Sequence, residues 1–163
     1  MVLTNGVVAG TNQAGQFLDL IIDGPVEFHG SQPIQVAQFA NGTTFDGLPG
    51  DPCEILLPST GHYLETNIVV GLPDDGYYGG FYENYLNIIV AQSAITNTLV
   101  NGAPVAATNF VAIGSSGYYG AQLTVTNGLY TAVYTVTSSQ PVGVQVYGFG
   151  DYDAYAYFGG VVK

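Results

Sequence analysis

Asn127-Gly128 lies between two runs rich in β-branched and aromatic residues. An Asn-Gly pair supplies positive φ at both centre positions of a type I′ turn, whose twist matches that of paired antiparallel strands. With the turn at residues 126–129, Leu123 is expected opposite Ala132 and Ala121 opposite Tyr134. Ala121, Leu123, Val125, Tyr130, Ala132 and Tyr134 then share one face, and Gln122, Thr124, Thr126, Leu129, Thr131 and Val133 share the other. A one-residue slip would exchange the two faces, so the pattern defines an inside. A third strand over 141–149 is expected after the Ser-Ser-Gln-Pro turn, ending in a loop at 150–157 that alternates acids with aromatics.

The rest of the chain repeats this grammar. Strands are expected at 2–8, 16–22, 26–28, 33–40, 53–57, 62–70, 85–90 and 110–113, each bounded by Gly, Pro, Asn or Asp. The run at 16–22 alternates Phe17, Asp19 and Ile21 against Leu18, Leu20 and Ile22. Asn101-Gly102 marks a second hairpin, between 97–100 and 104–107. Residues 45–52 read as a loop, and 92–97 as one helical turn at most. Nothing sustains the 3.6-residue apolar period that crossover helices need. Short strands at 8–12-residue spacing instead predict an all-β, antiparallel, sandwich-like single domain.

Composition narrows the function. Twelve acids stand against one basic residue, Lys163, for a net charge of −11. Nothing on such a chain neutralises phosphates, which excludes nucleic acid, and an anionic membrane surface is disfavoured for the same reason. Membrane insertion is not expected, because no run reaches the eighteen or so apolar residues of a spanning helix. Charged residues make up only 8 %, so the surface is built from amides, hydroxyls and Tyr. That suits an extracellular or cell-surface module, and Met1 on a domain of this composition implies one cut from a longer protein. Cys53 alone permits no internal disulfide.

Chemistry-bearing constellations are few. His29 or His62 could be combined with Ser59, Ser115 or Ser138 in a triad, but no Gly-x-Ser-x-Gly elbow exists. A carboxylate-based glycoside hydrolase is a third-ranked reading among twelve acids. Asp151-x-Asp153 and Asp74-Asp75 offer oxygens to calcium, with two carboxylates each where six to eight oxygens are needed. Tyr carries the sharper signal: a flat apolar ring and a hydroxyl at low entropic cost. Asp151, Tyr152, Asp153, Tyr155 and Tyr157 are the expected ligand-binding surface, with Tyr77, Tyr78 and Tyr82 as a second wall. No catalytic residue and no obligatory cofactor are expected.

Several motifs in order resemble a known family. They are Ser31-Gln32-Pro33-Ile34-Gln35-Val36-Ala37-Gln38-Phe39, Asp51-Pro52 before Ile55-Leu56-Leu57-Pro58, and Asn84-Tyr85-Leu86-Asn87-Ile88-Ile89-Val90. Asn101-Gly102-Ala103-Pro104-Val105, Ile113-Gly114-Ser115-Ser116-Gly117-Tyr118 and the run from Ser139 through Phe149, with Tyr152-Asp153-Ala154-Tyr155, continue the series. Together they resemble the IgG Fc-binding protein N-terminal domain family over about residues 28–160. The resemblance implies an extracellular, non-catalytic recognition or adhesion module that binds a cell-surface glycan or protein, as at a fibre tip. A structural or assembly domain without a ligand is the alternative. Residues 1–27 are expected to be N-terminal strands or a connection to a stalk, and 28–163 the family-like domain. Edge strands lacking the lysines that block edge pairing imply a homo-oligomer, with a trimer suiting a fibre tip.

Overall fold

The computed structural model describes residues 1–47, 50–74, 80–125 and 132–162. It opens with a small antiparallel sheet of β1 (Val2–Thr4), β2 (Val7–Gly10) and β3 (Phe28–Gly30), in the order β2-β1-β3. The run at 2–8 is therefore two strands. Asn5 and Gly6 turn between them at φ 48° and 82°, the left-handed pair that an Asn-Gly turn favours. The ladder from β1 to β3 spans the expected division at 27/28. A two-stranded sheet follows, β4 (Val36–Phe39) with β5 (Glu54–Leu57), enclosing a one-turn helix, α1 (Thr43–Asp46), whose last two residues fall in the stretch 45–52 expected to be a loop.

The remaining strands are β6 (Leu64–Gly71), β7 (Glu83–Ala91), β8 (Leu99–Val100), β9 (Ala103–Pro104), β10 (Phe110–Ala112), β11 (Tyr118–Val125), β12 (Ala132–Gly150) and β13 (Asp153–Phe158). They form one curled antiparallel sheet organised on β12. This is the all-β class that the sequence predicts. β12 is 19 residues long, and its register against β6 shifts between Thr137 and Val142. Its first half pairs with β6 and β8, and its second half lies between β7 and β13. The expected turn at Ser138–Pro141 is thus a bend within one strand. Pro141 has no N–H to give a ladder, so pairing lapses there; it resumes at Val142 with Leu64 of β6, and β7 and β13 join from Gly143 and Gln145.

The two halves of the sheet enclose one core. Val69, Tyr134 and Val136 come from one half, and Leu86, Ile88, Val90, Val142, Val144 and Val146 chiefly from the other. Burying each such side chain contributes about 1.5–3 kcal/mol. The central strand expected at 85–90 is β7, flanked by β11 and β12. Its burial alternates along its whole length, with Leu86, Ile88 and Val90 fully buried.

The pairs expected across Asn127-Gly128, Leu123 with Ala132 and Ala121 with Tyr134, are not formed. Asn127 and Gly128 themselves lie outside the described residues, but their flanking strands have other partners. Leu123 pairs with Leu86 and Ala121 with Ile88 on β7, whereas Ala132 pairs with Gly71 and Tyr134 with Val69 on β6. Among the described residues of these strands the face assignment nevertheless holds. Ala121 and Tyr134 are buried, and Gln122, Thr124 and Val133 are exposed. Alternation fixes which side of a strand meets the core, and any apolar neighbour satisfies it equally well.

Two other expectations change. Residues 16–22 form no strand, and Phe17 and Ile21 are 85 % and 86 % exposed. The strand expected at 53–57, whose run of apolar residues reads as a buried strand, is β5, of which only Ile55 is buried. The second hairpin forms at Asn101-Gly102 but is shorter than the expected 97–100 and 104–107: Leu99 pairs with Pro104 and Val100 with Ala103, with Asn101 and Gly102 at φ 51° and 78°. Asn101 also holds β12, its N–H donating to the Thr135 carbonyl and its Oδ1 accepting from the Thr135 N–H, both at 2.8 Å. Residues 92–97 form a short 3₁₀ helix.

Candidate functional site

The segment at 150–157 is mostly strand. Gly150 pairs with Asp153, so the connection between β12 and β13 is only Asp151 and Tyr152. Tyr152 sits there at φ 55° and is 85 % exposed. An L-residue in the left-handed region is strained, at about 1–2 kcal/mol. Neighbouring groups furnish the tip. Tyr82 donates to Asp151 Oδ1 at 3.1 Å, and Asp153 Oδ1 accepts from the Ala154 N–H at 2.8 Å. Partial burial, then Asp151 and Glu83, push the Tyr82 phenol upward, so it stays a donor. Gly150 allows the tip to lie against the Gly80 carbonyl, where a Cβ would collide.

Tyr155 and Tyr157 point away from this tip. Strand alternation turns both toward the core, where they line a groove beside β6 with Ile68, Val70 and Leu72. The Tyr157 hydroxyl accepts from the Val70 N–H at 2.5 Å and donates to the Val70 carbonyl at 2.6 Å. Tyr155 accepts from the Leu72 N–H at 3.1 Å and donates to Asn84 Oδ1 at 2.5 Å. Phenols thus stand in for backbone partners along the β6 edge, where it approaches β13. Of the expected ligand-binding set, Tyr82, Asp151, Tyr152 and Asp153 come together, and Tyr155 and Tyr157 are engaged in this seam. Tyr77 and Tyr78 lie outside the described residues.

Sequence reading missed an aromatic patch next to the tip. Tyr85 of β7 pairs with Tyr147 of β12, their rings stacked with centroids 5.0 Å apart and planes at 19°. Phe149 meets Tyr147 edge-on at 5.8 Å. Tyr85 donates to Glu83 Oε2, and Gln122 donates to the Tyr147 hydroxyl. Asn87 donates to Gln145 Oε1, and Gln145 donates to Gln38 Oε1, each at 3.0 Å. These side chains lie on the face opposite the buried Leu86, Val144 and Val146. The signal was present as Glu83-x-Tyr85-x-Asn87 and Gln145-x-Tyr147-x-Phe149, alternate positions of two strands.

The other constellations have local roles. Ser59 Oγ lies 2.7 Å from His62 Nδ1 within one 3₁₀ turn, and among the described residues no carboxylate bonds to that ring. Ser138 lies against Thr98, and His29 is exposed on β3. No three His, Cys, Asp or Glu side chains gather among the described residues. Asp75 of the Asp74-Asp75 pair is outside them. A family model described as IgGFc binding protein matches residues 3–148. No curated protein and no solved structure matches the chain.

Proposed function

The chain belongs to the IgGFc binding protein family, and on that premise we propose that it is an extracellular recognition and adhesion module, as at the tip of a surface fibre, and not an enzyme. The observation that carries this reading is Tyr152. A two-residue tip holds an aromatic ring in solvent at a positive φ, where Gly or Asn would cost less. Strain kept at an exposed position points to use. Tyr152, Tyr82, Asp151 and Asp153 form the contact surface, offering a ring face, a hydroxyl and carboxylate acceptors to a cell-surface glycan or protein. Tyr155 and Tyr157 tie β13, the strand that leaves the tip, to the edge of β6. Among the described residues no helix is long and apolar enough to cross a membrane.

A second reading, an assembly domain, has its own observation. Val7 and Val8 on β2, the edge strand of the small sheet, and Phe17 and Ile21 in the segment that follows it are all more than half exposed. A homo-oligomer, a trimer in a fibre, would cover them. One screen separates the readings. The domain is applied to arrays of neutral and acidic glycans and of cell-surface proteins, with sugar release followed in parallel. Saturable binding without release supports recognition. Silence on every surface favours assembly, and release of sugar overturns both.

A further inference from the structure

We propose that the outer face of the large sheet, at Glu83, Tyr85, Tyr147 and Phe149, binds an arginine side chain presented by a protein partner. The proposal rests on the recognition reading for the existence of a partner, and it adds both a second site and the chemistry that site selects. Glu83 pairs with Phe149, and Tyr85 with Tyr147, so the four residues occupy adjacent outward positions of β7 and β12. The stacked Tyr85–Tyr147 pair makes the aromatic wall, and Phe149, with Gly50 packed against its ring, backs it edge-on. Its orientation is fixed from outside the wall: Gln122 donates to the Tyr147 hydroxyl, which donates on to Asn87 Oδ1. Glu83 closes one end, with one carboxylate oxygen held by Tyr85. At the same end of the sheet, the Tyr82–Asp151 pair adds a second carboxylate.

An aromatic wall beside a carboxylate matches a guanidinium, which is planar, permanently charged and weakly hydrated, and which stacks on rings while its N–H fork meets an acid. The chain supplies none of its own. It has no Arg, and its one Lys is Lys163. Among the described residues no ion pair engages Glu83 or Asp151. With a net charge of −11, sialylated or sulfated surfaces are repelled, and a cationic protein surface is drawn in. A protein partner is therefore favoured over a glycan at this face.

The test is a titration of isotope-labelled domain with acetyl-Gly-Arg-Gly-amide, followed by NMR. A matching peptide carries citrulline, the neutral isostere, in place of arginine, and a methyl hexoside serves as a third probe. The expected result is saturable shifts centred on Glu83, Tyr85, Tyr147 and Phe149, absent with citrulline. Glu83→Gln and Tyr147→Leu should each weaken binding about threefold. Shifts spread evenly over all the carboxylates would overturn the proposal, as would equal binding of the citrulline peptide or the hexoside at these residues. If the intact domain binds an array target while the arginine peptide leaves this face unmoved, recognition stands and the arginine site falls.

Discussion

Tyr152 and Tyr157 show how differently one residue type is used within six positions. Tyr152 is held out at a left-handed φ, whereas Tyr157 spends its hydroxyl on the Val70 backbone. Tyr152→Gly should relieve strain and stabilise the fold by up to about 1 kcal/mol, less what glycine gives back in unfolded-chain entropy. The same change should weaken target binding, so stability and recognition move in opposite directions. Urea melts paired with binding curves read both. Tyr157→Phe keeps the ring and orphans the Val70 N–H and carbonyl, at a cost of about 1–3 kcal/mol in the same melts. The Tyr-x-Tyr run could not be divided this way from sequence alone. Alternating Tyr and Ala reads equally as a loop that offers rings and as a strand that turns them inward. The turn at Asp151-Tyr152, which decides between them, carries no glycine at its centre.

Among the elements, hairpins were legible where the Asn-Gly pair joins strands that stay together. Asn101-Gly102 does so, and β8 pairs with β9 in the register such a turn dictates. Gly102 has φ 78° and open space around a would-be Cβ, so Gly102→Val tests backbone strain alone. It should cost about 1–2 kcal/mol, read as a lower urea midpoint at unchanged m-value. Around Asn127-Gly128 the faces were legible and the partners were not. Leu123 and Ala132 each meet an apolar neighbour, but on β7 and β6 rather than on each other. Burial periodicity is a property of one strand, whereas pairing is a competition among all the strands. β12 was hidden for a related reason: Pro141 reads as a break, yet a strand can bend there and change partners. Residues 16–22 carry a strand pattern with no ladder to join, so local alternation was not sufficient.

For the whole molecule, a surface almost without bases leaves phenols as the groups that govern alkaline stability. Burial, and then Tyr118, push the Tyr63 phenol up to about 12 from 10. Burial likewise raises Tyr134, Tyr147, Tyr155 and Tyr157. In the unfolded chain these phenols release protons near 10, while the native state retains them. Native stability from this source is therefore intact below pH 10 and lost as pH rises toward about 12. Thermal melts across that window should show Tm falling together with tyrosinate absorbance, and Tyr63→Phe should move the fall to higher pH. Self-association is a separate expectation. Mass by light scattering should rise with concentration, and Phe17→Ser with Ile21→Ser should return it to the monomer.

In the proposed function, Tyr152 and its neighbours at the β12–β13 tip make the recognising contact. It is tested most directly by the dissociation constant of Tyr152→Ala for the surface target found in the array screen, measured beside the parent and an exposed control on another face, Val133→Thr. Tyr152→Ala should lose about 2 kcal/mol, roughly 30-fold, in affinity, with no loss for the control and with both variants melting like the parent or higher. A folded Tyr152→Ala that binds as tightly as the parent would contradict it and place the contact on another face.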